Sequence, residues 1–136
     1  MSDCAQPNDL RIFRYQDWEI KVGKTARAND QLSLKLGQPM DYWFHVAGMP
    51  GSHVLATHPE HPVPCPREVK RIAAGLAAFY SKGRQGGSVA VHWTQWMNVS
   101  KRRGAPPGQV VLKKFESLKV HPLDPDQCHE LENVQN

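Results

Sequence analysis

The chain has 136 residues and a mass of 15.3 kDa, of which 40% are hydrophobic and 22% are charged. This length suits one domain with its own core, and the composition excludes disorder throughout the chain. No apolar run approaches the roughly 20 residues of a membrane span, and the N-terminus lacks the features of a signal peptide, so we expect a cytoplasmic protein without a membrane partner.

Charge is distributed unevenly along the chain. The net charge is +4, but residues 66–121 carry eleven Lys and Arg against two Glu, while residues 123–136 carry four acids and no Lys or Arg. A basic centre attracts phosphates, which favours a polyanionic partner; the alternative is a solvated basic face. We interpret residues 1–10 as a flexible leader, 11–122 as the domain and 123–136 as an acidic tail.

The three cysteines, Cys4, Cys65 and Cys128, are far apart and odd in number. This pattern argues against a disulfide framework and fits a reducing compartment.

The first predicted elements are a β-hairpin and a short helix. Residues 11–15 and 18–22 are rich in aromatic and β-branched residues and predict the hairpin. Asn29 or Asp30 is expected to cap the helix, which Gly37 ends.

The loop before this helix contains Lys24 and Arg27. Unpaired backbone N–H groups at a helix N-terminus favour an anion, so a phosphate could bind there. The alternative is that Asn29 only caps the helix and that both cations are solvated.

The central strand covers residues 41–46, turns at Pro50 and Gly51, and is followed by a return strand at 52–57. Alternation places Tyr42, Phe44 and Val46 on one face and Trp43 with His45 on the other. We expect the first face to pack in the core. The second face could bind a ligand or could itself be covered.

The second half predicts one long helix and three strands. Pro66 begins an amphipathic helix whose apolar residues repeat at intervals of three and four up to Tyr80. A strand is expected at 88–99 and a last hairpin at 110–115 and 118–120. The intervening segment KRRGAPPG predicts a protruding basic loop. The fold class is therefore α+β: a mixed, mainly antiparallel sheet covered on one face by one long helix, plus a short helix.

Catalysis has little support in the sequence. Four histidines and Cys65 lie within residues 45–65, but their spacing is not diagnostic of a metal site. No phosphate-binding glycine loop of the Walker or Rossmann kind is present. We expect no enzyme activity, no metal and no cofactor; the alternative is a metal-dependent hydrolase that uses His45 and His53.

Nucleic-acid binding uses more of the pattern. Trp43 could stack on a base, and His45 and His53 could hydrogen-bond a phosphate or a 2′-hydroxyl, while Lys and Arg follow the backbone.

Five motifs in order carry a family resemblance: VGKTARANDQL, DYWFHV, PGSHV, AAFYSKGR and VHWTQWMNVSKRRGAPPGQVVL. The chain resembles the NFACT-R domain, the RNA-binding module at the C-terminal side of ribosome quality-control factors, over about residues 13–122. The resemblance implies an α+β fold and binding of tRNA, ribosomal RNA or the ribosome. We expect a stand-alone member without the tail-synthesis activity of the full-length factors. DNA binding, or a protein-interaction adaptor on the ribosome, remains an alternative.

The family pattern does not itself say which residues touch RNA, so we select them by their chemistry. The predicted RNA contacts are Lys24, Arg27, Asn29, Trp43, His45, Ser52, His53, Lys82, Arg84, Lys101, Arg102 and Arg103.

Overall fold

A computed structural model describes residues 9–134. Most of the predicted leader, including Cys4, and the last two residues lie outside this range. The strands are β1 (Leu10–Tyr15), β2 (Trp18–Gly23), β3 (Tyr42–Val46), β4 (Val54–Thr57), β5 (Val89–Gln95), β6 (Val99–Ser100), β7 (Val111–Leu112), β8 (Glu116–Val120) and β9 (Glu132–Asn133). The helices are α1 (Ala26–Gln31), which continues as a π-helical turn (Leu32–Leu36), and α2 (Arg67–Phe79). No helix within 9–134 is long and apolar enough to cross a membrane.

Seven strands form one sheet in the order β8-β5-β3-β4-β2-β1-β9. Every paired strand in it is antiparallel, so the predicted parallel component is absent from the described residues. The first hairpin is confirmed, with Tyr15 opposite Trp18 across a two-residue turn in which Gln16 has φ 54°. The predicted last hairpin is wrong: β8 pairs with β5, whereas the short β7 pairs with β6 in a separate ribbon.

One face of the sheet forms the main core with α2. Tyr42, Phe44 and Val46 are buried there, as the alternation predicted. The helix contributes an apolar stripe that includes Val69, Ile72 and Leu76. The prediction of one long helix that covers this face is wrong. The helix has 13 residues and is about 20 Å long at 1.5 Å per residue, whereas seven strands span about 29 Å. The helix is therefore too short to cover the whole face.

Part of the second face is covered as well. Thr25, not Asn29 or Asp30, caps α1, because its Oγ1 accepts a hydrogen bond from Ala28 N at 3.0 Å. Ala28 and Leu32 then pack on Leu55 of β4 in a second apolar cluster. Gly37 follows the π-helical turn, as predicted. These elements bury the half of the second face that includes Trp43.

The acidic C-terminal segment is part of the fold as far as it is described. Leu123 N donates to Gly75 O at 3.0 Å, which fixes the segment across α2. Leu131 is buried, and β9 pairs with β1 at the edge of the sheet. The predicted boundary at residue 122 is therefore corrected: the domain extends to at least Asn133.

Candidate nucleic-acid interface

A groove of about 630 Å³ opens at one end of the sheet. It lies between the start of α1, the segment between β3 and β4, the end of α2, and the loop 101–109. Backbone hydrogen bonds hold two of these walls together: Ser52 N donates to Tyr80 O at 3.0 Å, and Lys82 N donates to Pro50 O at 3.3 Å. The β-bridge between Gly51 and Ser81 adds to them. Backbone hydrogen bonds therefore join these two walls of the groove.

Four cations line this groove: Arg11, Lys24, Lys82 and Arg84. Within residues 9–134, none of them has a carboxylate oxygen within 4.0 Å, whereas Lys21, Arg71 and Lys101 elsewhere in that range are paired. Unpaired cations that converge on one concave surface create a positive potential and attract polyanions. Three of the four were predicted from the sequence.

Two of these cations lie against aromatic rings. The Arg11 guanidinium is 4.5 Å from the centre of the Tyr80 ring, and that of Arg84 is 3.9 Å from the centre of the Phe79 ring. These contacts hold flat charged groups on an apolar support, as in many sites that bind phosphate or stacked bases.

Lys101 is a predicted RNA contact, but in the structure its ammonium forms hydrogen bonds within the protein. Its ammonium donates to Asp30 Oδ1 at 3.2 Å, Pro106 O at 2.7 Å and Gln109 O at 3.1 Å. An ammonium has three donors, so Lys101 has none left for a phosphate. Asp30 Oδ1 also accepts from Gly108 N at 2.9 Å. We call these contacts the Lys101–Asp30 clamp. It fixes residues 106–109 as one wall of the groove, so the basic loop is pinned to α1 at this point.

Asn29 and Ser52 line the groove and also hold its frame. Asn29 Oδ1 accepts from His53 N at 3.0 Å, and Ser52 Oγ donates to Gly23 O at 2.6 Å. Gly23 has no side chain, and a Cβ there would collide with Asn29 Oδ1. These contacts join the end of β2 to α1 and to the segment that leads into β4.

Trp43 and His53 are buried, with 2% and 1% of their surface exposed. Trp43 Nε1 donates to Ser33 Oγ at 2.7 Å, and the same oxygen lies 2.6 Å from His53 Nδ1. Burial lowers the pKa of His53 to about 3, and nearby His45 contributes in the same direction. A buried indole cannot stack on a base, and a neutral buried imidazole cannot pair with a phosphate. Both assignments as direct RNA contacts are corrected.

The structure therefore divides the predicted residues into three groups. Those that line the groove are Lys24, Asn29, His45, Ser52, Lys82 and Arg84. Those that support it from within are Trp43, His53 and Lys101. Those that are exposed outside it are Arg27, Arg102 and Arg103.

Sequence reasoning missed Arg11, Tyr80 and Gln109 as groove residues. The sequence pattern could have indicated Arg11. It lies on the same face of β1 as the buried Phe13 and Tyr15, and a charged side chain on an apolar strand face needs a ligand, a carboxylate or an aromatic ring as its partner. Tyr80 was assigned to the apolar stripe of the helix, but it lies just beyond the last turn of α2 and is half-buried at the groove.

The histidines do not form a metal site with their neighbours in the described structure. Among residues 9–134, no three His, Cys, Asp or Glu side chains are placed to hold one ion. Cys65 and Cys128 are both free thiols.

Residues 12–114 match the family profile described as the NFACT protein RNA binding domain. The chain is 37% identical over 105 residues to the Rqc2 homolog RqcH of Streptococcus suis, covering 77% of this chain and 18% of that protein. RqcH of Bacillus subtilis is 35% identical over 103 residues, with 76% and 17% covered. The chain thus spans less than a fifth of the length of these relatives.

A shorter relative and a solved structure are also similar. Coiled-coil domain-containing protein 25 of Bos taurus is 31% identical over 106 residues, covering 76% of this chain and 50% of that protein. The structure of the C-terminal part of the fibronectin/fibrinogen-binding protein from Streptococcus suis superposes with a TM-score of 0.81 at 32% identity. That match covers 91% of this chain and 49% of the other.

Proposed function

We propose that this chain, which belongs to the family of NFACT RNA-binding domains, binds tRNA or ribosomal RNA without catalysing a reaction on it. The groove is the proposed site, and the sugar–phosphate backbone is what its cations contact. We place this activity in the cytoplasm, in ribosome-associated quality control, as the resemblance to RqcH suggests.

The observation that carries this proposal is the convergence on one groove of four cations that have no carboxylate partner among residues 9–134. Electrostatic contact with phosphates supplies much of the affinity of RNA-binding proteins. The neighbouring groups fit the same ligand: Ser52, Asn29 and Gln109 carry polar atoms suited to a phosphate or a 2′-hydroxyl.

The first prediction concerns Lys82, an exposed cation that follows α2. We expect Lys82→Ala to weaken binding of fluorescein-labelled tRNA and to lower the slope of log K against log salt by about 1, because one phosphate contact and its released counterion are lost. Fluorescence anisotropy at four salt concentrations measures both quantities.

Arg67→Ala is the matched control, because Arg67 is exposed at the opposite end of α2 and lies outside the groove. This change should leave the slope within 0.3 of wild type, on the rule of about one unit per lost contact. Absence of salt-dependent tRNA binding by the wild-type chain would refute the proposed function. Equal effects of the two substitutions would show that the cations act only through net charge. Duplex DNA as a competitor measures whether the site prefers RNA.

A further inference from the structure

A second cavity, of about 290 Å³, lies next to the groove on the face of the sheet opposite α2. Aromatic and imidazole rings from β3, β5 and the segment before β4 line one side of it: Trp43, His45, His53 and His92. The chain after the Lys101–Asp30 clamp lines the other side with Val110, Leu112 and Phe115. We call this space the histidine cavity.

The rings of the histidine cavity contact one another closely. The ring centres of His45 and His53 are 4.9 Å apart, and those of His92 and Phe115 are 4.3 Å apart. Phe115 is 48% exposed, although it is a large apolar side chain. A half-exposed ring at the rim of a cavity offers one face to a flat ligand.

The chemistry of the cavity differs from that of the groove. No Lys, Arg, Asp or Glu is among its lining residues in the described structure. Burial lowers the pKa of both His45 and His53, so these two imidazoles are neutral near pH 7. An aromatic cavity whose described lining holds no Lys or Arg does not favour a phosphate. It suits an uncharged ring with polar edges, because Gln109 and the neutral His45 can hydrogen-bond such an edge, whereas His53 Nδ1 is already bonded to Ser33 Oγ.

The two spaces are continuous. His45, Gly108 and Gln109 line both of them. The volume lies at the lower limit of ligand pockets, which begin at about 300 Å³, so it admits one ring system and not a folded chain. A ligand with phosphates in the groove would therefore have its next ring beside this cavity.

We propose that the histidine cavity is a base-binding pocket, which receives one unstacked nucleobase of single-stranded RNA while the neighbouring phosphates lie in the groove. This inference rests on the proposed function and adds the structural class of the ligand: an unpaired base in a loop, bulge or end. Phe115 stacks on the base, and Gln109 with His45 hydrogen-bonds its edge.

The experiment compares two single-stranded RNA hexamers with identical phosphates, one of random base sequence and one abasic. Binding of each to the wild-type chain and to Phe115→Ala is measured by anisotropy. Base stacking predicts that Phe115→Ala weakens binding of the base-containing hexamer about tenfold and leaves the abasic hexamer unchanged.

Met97→Ala is the matched control, since Met97 is 51% exposed and lies outside both cavities; it should affect neither hexamer. Val110→Trp is a second variant that fills the cavity, and it should weaken binding of the base-containing hexamer selectively. Equal effects of Phe115→Ala on both hexamers, or no effect on either, would overturn the proposed base pocket. The proposed function of the groove would still hold in that case, provided that the wild-type chain binds RNA in a salt-dependent way. If neither hexamer nor tRNA binds the wild-type chain, both proposals fall.

Discussion

The hydroxyl of Ser33 lies at the centre of a fully buried network. An indole N–H can only donate, so Ser33 Oγ accepts from Trp43 and its own proton is directed at His53 Nδ1. This arrangement requires the neutral form of His53, which agrees with its lowered pKa. The network holds the segment before β4 beneath the π-helical turn. Trp43 and His53 therefore matter for the frame of the site, not for contact with RNA.

At the residue scale, we predict that stability falls as the pH is lowered. The pKa of His53 is about 3 in the folded chain and about 6.5 in the unfolded chain, so between these values the unfolded state binds the extra proton. Unfolding is therefore favoured as pH falls below 6.5, by up to about 1.4 kcal/mol per pH unit. Urea denaturation at pH 7.5, 6.0 and 5.0 measures this dependence.

His53→Asn should flatten that pH dependence, even if it lowers stability at pH 7.5. His58→Asn is the matched control, because His58 is partly exposed and outside the Ser33 network. An equally steep pH dependence in His53→Asn would show that other groups cause it.

At the element scale, the loop 101–109 illustrates how a basic segment becomes part of a site. Its prolines and glycines predict an irregular conformation, and Arg102 and Arg103 are exposed. The Lys101–Asp30 clamp, across 71 residues of sequence, fixes its second half against α1. Lys101 therefore uses its charge for an intramolecular contact. This contact orders the backbone of residues 108 and 109, which line both the groove and the histidine cavity.

We predict that Lys101→Met weakens tRNA binding but leaves the salt slope within 0.3 of wild type, because a lost phosphate contact would lower it by about 1. Asp30→Asn should have a similar effect, although it removes a negative charge. The comparison with Lys82→Ala separates a positioning residue from a contact residue. A drop in slope of one unit for Lys101→Met would return this residue to the RNA contacts.

The packing of the C-terminal segment on α2 gives a second prediction at this scale. Replacing Gly by Ala in an exposed helix usually stabilises it by about 1 kcal/mol. At Gly75 the new Cβ would lie 2.7 Å from Leu123 Cβ, so the segment must shift. We expect Gly75→Ala to lower the free energy of unfolding by about 1–3 kcal/mol, as overpacking does. Thermal unfolding measures it, with the exposed Gly86→Ala as a control, because a Cβ there would meet only Gly83 O at 3.5 Å. An unchanged or raised stability of Gly75→Ala would contradict the close packing.

At the scale of the whole molecule, the surface that contains the groove carries cations at one end and acids at the other. A further space of about 580 Å³ adjoins the groove and shares Arg11, Lys24 and Arg84 with it, and Asp124 and Asp126 also line it. Neither Asp forms an ion pair within 4.0 Å among the described residues. The acids thus reduce the positive potential at one end of the groove without neutralising a particular cation.

We predict that Asp126→Asn tightens tRNA binding two- to fivefold at low salt, because it removes a like charge near the phosphates, and that this gain disappears at high salt. Glu60→Gln, at an exposed acid that lines neither the groove nor the adjoining space, is the matched control. Deletion of residues 123–136 is unsuitable here because it removes Leu131 from the core. Equal affinities for wild type and Asp126→Asn would mean that the acids do not influence the site.

Much of this fold followed from local pattern. Alternation in residues 41–46 placed Tyr42, Phe44 and Val46 in the core, and the spacing of apolar residues located α2. These features depend on neighbours in the chain and are readable without tertiary information. The pairing of β8 with β5 and the return of the C-terminal segment to β1 depend on contacts between distant residues, so local pattern misassigned both.

The site divides in the same way. The sequence by itself determined the type of chemistry, because Lys24, Lys82 and Arg84 are cations in segments that interrupt regular structure, and such residues remain at the surface. Only the tertiary structure decided which polar residues reach that surface. Trp43, His53 and Lys101 have side chains suited to RNA, but α1 and the loop beyond β6 cover or engage them. Burial and saturation of hydrogen bonds are properties of the assembled fold, and they turn these three residues from contacts into supports.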